Sequence, residues 1–208
     1  MDEVFGLYLP EYSIPAPVPQ TKMVQIIGHD GDIDLTNAYG ETRYQSRKWT
    51  LSLKSFDPTI NWHSLSSNVN NAIHGKRLDF IFDDDPDFYW NGRVSVKDYV
   101  SSHGEGTLKI EIVSDPYKLC QNENVISKYT PGTVTLQNLH RKTVIPAVSS
   151  ESGAHIAYTI DNVDYQAEIQ AGATVVIPTL VLAGDSEVVV ELINDNEDVT
   201  FTWREGSL

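Results

Sequence analysis

Apolar and polar side chains alternate in short runs along most of this chain, and a helical period replaces that alternation only once. Trp49, Leu51 and Leu53 alternate with Thr50, Ser52 and Lys54, Leu78, Phe80 and Phe82 recur at every second position, and Leu108, Ile110 and Ile112 do the same within Thr107 to Val113. A two-residue period is that of strands with one buried face. After Pro131 the runs shorten: Thr133 to Leu136, Val144 to Val148, His155 to Ile160, Tyr165 to Ile169, Thr174 to Ile177, Glu187 to Ile193 and Val199 to Trp203. Turn-forming residues at Ser152-Gly153, Asp161-Asn162, Ala171-Gly172, Gly184-Asp185 and Asn194 to Asp198 separate most of them. Short strands recurring about every 8 to 12 residues predict an antiparallel β-sandwich.

The exception lies between Pro58 and Gly75. Trp62, Leu65, Val69 and Ile73 fall 3, 4 and 4 residues apart, one apolar stripe of a helix. Asp57 is the expected cap, Pro58 suits the first turn and Gly75 the stop. The polar face is rich in Ser and Asn, weak helix formers, so the helix must dock through its stripe. In Phe88 to Val94 the pair Asn91-Gly92 stands between two strand-like runs and predicts a type I′ hairpin turn.

Fifteen Lys and Arg against 29 Asp and Glu give 208 residues a net charge of -14. Residues 1–130 hold 12 basic and 18 acidic side chains, net -6, and residues 131–208 hold 3 and 11, net -8. Such a surface cannot neutralise a phosphate backbone, so no sequence-specific nucleic-acid partner is expected. The longest apolar stretch, Ala173 to Ala183, falls far short of the roughly 20 residues of a membrane span. The acidic start, Met1 to Pro10, has no basic region before an apolar core, so no signal peptide is expected. One cysteine, Cys120, excludes an intrachain disulfide and suits a reducing compartment. The length allows one large domain or two small ones. Asp115-Pro116-Tyr117 and Pro131-Gly132 place a junction near 115 to 131.

No GxSxG elbow, HExxH pair, P-loop or GxGxxG run occurs, so no catalytic, cofactor-binding or metal-ligating residue is assigned and no cofactor or enzymatic activity is expected. The histidines at 29, 63, 74, 103, 140 and 155 lie on scattered segments and read as surface or structural residues. Asp83, Asp84, Asp85 and Asp87 could ligate calcium, but the segment lacks the glycine and terminal glutamate of an EF-hand loop and reads as a solvated loop. Gly28 to Asp34, with alternating aspartates, reads as a glycine-permitted turn bonded by its own carboxylates rather than as a calcium loop. Cys120 has no neighbouring base and reads as a packing thiol. Tyr158, Tyr165 and Trp203 could build a sugar-stacking face, but core and edge packing is the expectation.

Six segments in order resemble the distal tail protein of long-tailed, non-contractile bacteriophages. They are Gly28-His29-Asp30-Gly31-Asp32-Ile33-Asp34-Leu35, Tyr44-Gln45-Ser46-Arg47 running into Lys48 to Leu53, His74-Gly75-Lys76, Tyr89-Trp90-Asn91-Gly92-Arg93, Asp115-Pro116-Tyr117-Lys118 and Phe201-Thr202-Trp203-Arg204-Glu205-Gly206-Ser207-Leu208. The resemblance implies an all-β fold with one helix: an N-terminal β-sandwich ring domain with an extended hairpin (1–125) and a C-terminal galectin-like β-sandwich (126–208). It implies a structural virion component at the tail tip, synthesised in the bacterial host cytoplasm. Six copies would form a ring with a channel for DNA, joining the tail tube protein to the tail-associated protein and a receptor-binding protein or adhesin. The rival reading is a virion-anchored carbohydrate-binding module for host-surface glycans. A third, a small hydrolase assembled from dispersed His and Asp residues, has no local motif behind it.

Overall fold

The computed structural model describes residues 2–28, 30–38, 40–55, 57, 59–102 and 105–208. The element order is α1 (Asp2–Phe5), β1 (Met23–Gln25), β2 (Asp32–Asp34), β3 (Arg47–Lys54), α2 (Trp62–Ile73), β4 (Arg77–Phe82), β5 (Asp85–Ser102), β6 (Glu105–Ser114), β7 (Lys118–Cys120), β8 (Asn124–Lys128), β9 (Gly132–Asn138), β10 (Ala147–Ser149), β11 (Ala154–Ile160), β12 (Val163–Ile169), β13 (Thr174–Val176), β14 (Ser186–Leu192), β15 (Val199–Trp203) and β16 (Gly206–Ser207). The fold is all-β with one helix longer than a single turn. The chain forms two compact units, one of residues 1–81 and 90–116, the other of residues 82–89 and 117–208.

In the first unit β3 pairs antiparallel with β6 along its whole length, from Arg47 opposite Ser114 to Lys54 opposite Thr107. β6 in turn pairs with β5, and β4 joins β5. The alternation read from sequence is the inward face: Trp49, Leu51, Leu53, Leu108, Ile110 and Ile112 are buried and Leu78, Phe80 and Phe82 half-buried, and Val94 and Val96 of β5 join the buried set. A bulge between Val96 and Tyr99 inserts an extra residue into β5. Beside it, Lys97 at 3.1 Å and Lys48 at 2.9 Å flank Glu111.

Helix α2 docks through Trp62, Leu65 and Val69, while Ile73, the last residue of the expected stripe, is only half-buried. The Trp62 ring lies directly over Gly106, where a Cβ would come within 2.1 Å of it. The helix starts later than expected. Asn61 is the cap, its side chain accepting the Ser64 N–H at 3.1 Å, while Asp57 accepts the Thr59 N–H at 2.8 Å in a preceding turn. The reason is local: Asp57-Pro58-Thr59 offers its own turn bond before the apolar stripe begins, and Asn61 stands immediately before the first stripe residue. Pro58 lies outside the described residues. At the other end Gly75 adopts φ +75, where L side chains are strained, and the helix stops there.

The Asn91-Gly92 turn is not formed. β5 runs unbroken from Asp85 to Ser102, and neither residue has positive φ. Gly92 sits opposite Ser114 in the ladder, and a Cβ on it would fall 2.7 Å from Cγ2 of Ile112 and 3.1 Å from the Ser114 backbone. The glycine permits close packing within a sheet. Asn91 is held by cross-strand partners: its amide donates to Asp79 at 2.5 Å, and its side-chain oxygen accepts from Arg77, which also pairs with Asp115.

The second unit is a sandwich of two four-stranded antiparallel sheets, ordered β13-β10-β15-β8 and β12-β11-β14-β9. Its core interleaves Val148, Val199, Phe201 and Trp203 of one sheet with Leu136, Ile156, Tyr158, Val190 and Leu192 of the other. Here the primed turn does occur: Asp161 and Asn162 have φ 53 and 61 and join β11 to β12 with Ile160 opposite Val163. Phe88 and Tyr89, at the start of β5, pair with Cys120 and Leu119 of β7, and β7 also pairs with β16.

Candidate functional site

Among the described residues, no three or more His, Cys, Asp or Glu side chains could hold a metal ion together. No helix of the described residues is long and apolar enough to cross a membrane. His63 shares a 2.5 Å hydrogen bond with the Tyr99 hydroxyl, His74 accepts the Val96 N–H at 3.1 Å, His140 lies edge-on to Phe88, and His155 bonds Glu197 at 2.5 Å. Each of these four histidines meets a different neighbour. His29 and His103 lie outside the described residues. Burial and the charge of Glu205 push the Cys120 thiol up, away from a reactive thiolate. Asp83 and Asp84 form the two-residue turn between β4 and β5, while Asp85 bonds Lys118 at 2.6 Å. Tyr158 and Trp203 are buried in the sandwich core, and the Tyr158 hydroxyl bonds Thr179 at 2.7 Å, so neither ring offers a stacking face.

What the first unit does offer is an exposed apolar ribbon. Among the described residues β1 and β2 pair only with each other, Met23 opposite Asp34 and Gln25 opposite Asp32, as a sheet of two strands. The loop between them turns on Gly28 and Gly31 at φ +84 and +83, so the glycines act as expected. The aspartate role is narrower. Asp34 accepts the Thr36 N–H at 2.8 Å, and the Thr36 hydroxyl and N–H hold its carboxyl below the ordinary value. The root of the ribbon is tied by Leu35 N–H to the Lys22 carbonyl at 2.8 Å and by Gln20 N–H to the Arg43 carbonyl at 2.7 Å. Along it Met23 is 54% exposed, Ile26 45%, Ile33 37% and Ile27 fully exposed. An isolated two-stranded ribbon is marginal in water, and on a chain of net charge -14 the exposed Ile33 on one face, Met23 on the other and Ile26 and Ile27 at the end of β1 mark a surface built to be covered. Sequence reasoning found this loop but not its apolar flanks, whose signal is Ile26-Ile27 beside a turn with no alternating partner.

The other family-like segments have local structural roles. Arg47 is buried, its guanidinium 4.8 Å over the Trp90 ring and donating to the Pro15 carbonyl at 3.2 Å, while Nε and Nη2 have no hydrogen-bond partner. Burial pushes its pKa down. A cation on an indole face explains why an arginine tolerates this site. In the second unit Glu205 is 4% exposed. Its Oε1 accepts from Asn124 at 2.6 Å and from the Trp203 indole at 3.3 Å, and its Oε2 accepts the Leu139 N–H at 3.0 Å. Arg204 donates to the carbonyls of Cys120, at 2.7 Å, and Gln121, and pairs with Glu123 at 3.1 Å. The Trp-Arg-Glu ending is therefore a clamp on β7 and the loops beside it.

No protein-family model and no curated protein matches the chain. A solved structure does: that of the Dit protein (gp 19.1) of phage SPP1, described as a paradigm of the hub adsorption apparatus in phages infecting Gram-positive bacteria. The likeness covers 95% of this chain and 93% of that one with a TM-score of 0.68, at 13% sequence identity. The two chains share a fold across nearly their whole length.

Proposed function

We propose that this chain is a non-enzymatic structural component of a phage tail tip, a hub that joins the tail tube to the proteins that contact the host. The observation that carries the reading is the ribbon with exposed apolar side chains on both faces and at its end, Ile33, Met23, Ile26 and Ile27, an element suited to insertion against a neighbouring subunit. The fold shared with a hub protein supports it. In this reading six copies close head to tail into a ring through the first unit, the ribbon of each covering a different face of the next, as a heterologous interface requires. The acidic composition suits a channel for DNA, because walls poor in cations do not retain phosphates. The second unit, net -8 over residues 131–208, faces away from the channel and meets the tail-associated protein and the adhesin.

Light scattering of the purified chain, with negative-stain images, tests this. The expected result is a ring of about six times the 23.2 kDa chain mass, reduced to monomers by Ile27→Asp at the fully exposed position. A chain that stays monomeric at every concentration, or a ring indifferent to Ile27→Asp, overturns the proposal.

A further inference from the structure

The β12-β11-β14-β9 sheet ends in an open edge. β12 runs seven residues in full register with β11 and pairs with no other strand among the described residues, and it carries no proline, lysine or bulge of the kind that blunts such edges. Its hairpin geometry fixes which backbone groups point outward. The two-residue turn makes Ile160 and Val163 the first hydrogen-bonded pair, so Tyr165, Ala167 and Ile169 also bond β11. Asp164, Gln166 and Glu168 then direct their N–H and C=O groups away from the sheet, and their side chains are exposed on its outer face.

We infer that this edge takes an added antiparallel strand from a partner protein, one with basic residues four positions apart opposite Asp164 and Glu168. The charge selects that occupant. Residues 131–208 contain Arg141, Lys142 and Arg204 as their Lys and Arg side chains, none of them on these four strands, and His155 of β11, opposite Glu168 in the register, has its ring bonded to Glu197. Directly paired side chains on one face lie close enough for opposite charges to attract and like charges to repel. A second copy of the same edge is disfavoured for that reason: antiparallel pairing centred on Gln166 sets each Asp164 against the other copy's Glu168. Beside the edge lies a hollow of about 740 Å³ whose lining includes Thr133, Ala157, Asp164, Gln166, Glu187 and Glu191, with room for the stems of long basic side chains. This inference does not depend on ring formation, because the edge belongs to the second unit and is exposed in the single chain.

The test uses the full chain and a synthetic nonapeptide of alternating valine and polar residues, with two lysines four positions apart and a threonine midway. Its control carries glutamate in place of lysine. The lysine peptide should slow amide exchange at Asp164, Gln166 and Glu168 and leave the already bonded Val163, Tyr165 and Ala167 unchanged. The glutamate peptide should do neither. The double variant D164K with E168K, at two exposed positions, should lose about tenfold in affinity for the lysine peptide and gain a similar factor for the glutamate one. Lysine-peptide binding that leaves the three outward amides unprotected would reduce the site to diffuse attraction and overturn the proposal. So would no protection at millimolar peptide, which leaves the acidic residues as guards of the edge alone. Protection that grows with protein concentration in the absence of peptide would assign the edge to a second copy and overturn it as well.

Discussion

Glu205→Ala should be the most damaging single change in the carboxy-terminal clamp. The carboxylate is almost wholly buried and accepts three N–H groups, from Asn124, the Trp203 indole and the Leu139 backbone. The three donors do not lose equally. Trp203 is 5% exposed, so its N–H is left in an apolar site at a cost of about 2 kcal/mol. Leu139 is largely exposed and Asn124 half-buried, so water can reach both, and about 1 kcal/mol each is a fair discount on the same scale. The expected loss is therefore about 4 kcal/mol, or roughly a 15–25 °C fall in the melting temperature of a unit this size. Glu205→Gln keeps one acceptor oxygen and the packing, turns an N–H toward at most one former donor, and should cost about 1–2 kcal/mol. Urea unfolding followed by Trp emission and far-ultraviolet circular dichroism would read both. If Glu205→Ala lies within about 0.5 kcal/mol of the parent, the surface-substitution range, or if Glu205→Gln is as harmful as the alanine, the carboxylate is not the acceptor hub described.

Val69→Asp, at a helix position with no exposure, should unfold or aggregate the first unit at a cost of several kcal/mol, and unchanged melting would show that α2 does not dock through its stripe. Gly92→Val should cost about 2–3 kcal/mol by driving a branched Cβ into buried Ile112, and a neutral thermal shift would refute the close approach. The Glu197 hydrogen bond raises the His155 pKa above 6.5, so this pair supports the fold at acidic to neutral pH and its support fades as the pH climbs through the raised value. An NMR titration of the imidazole should give a midpoint above 6.5 that Glu197→Gln lowers, and an unmoved midpoint would contradict the pairing. Bonds from the Ser152 hydroxyl and the Glu151 N–H hold the Asp198 carboxyl below its ordinary range, so its contribution is present at neutral pH and fades as the pH falls through that lowered value. Asp198→Ala should flatten the acid limb of the stability profile, and an identical limb would count against that role.

Strands with one wet face were the most legible elements. Trp49 to Leu53 and Val199 to Trp203 announce themselves because half of each strand is buried and half is not. β7 and β8 were hidden for the opposite reason. Lys118–Cys120 is too short to show a period, and Asn124–Lys128 lay within the segment expected to be a junction. Asn91-Gly92 misled because the same dipeptide that favours a primed turn also fits a crowded ladder position, and only the tertiary neighbours Ile112, Arg77 and Asp79 decide between the two. Asp161-Asn162 formed that turn with no glycine, its neighbours alternating cleanly on both sides. The ribbon's loop could be read from its glycines. Its exposed isoleucines could not, since an apolar residue in a sequence does not say whether a core or another molecule will cover it.

The chain passes between its two units three times, after Ile81, after Tyr89 and after Pro116, because the first residues of β5 belong with β7 while the rest of that strand belongs with β6. The carboxy-terminal unit is therefore no cassette. A recombination event that exchanged everything after residue 116 would deliver a foreign sandwich whose β7 met the resident Phe88 and Tyr89. Viable mosaics of such genes would need a second crossover pair around codons 82 to 89, or covariation of those eight residues with Leu119 and Cys120. Exchange by single crossovers should be correspondingly rare at this boundary, and the tip of the β4–β5 hairpin should drift in step with the distant carboxy-terminal sequence rather than with its immediate neighbours.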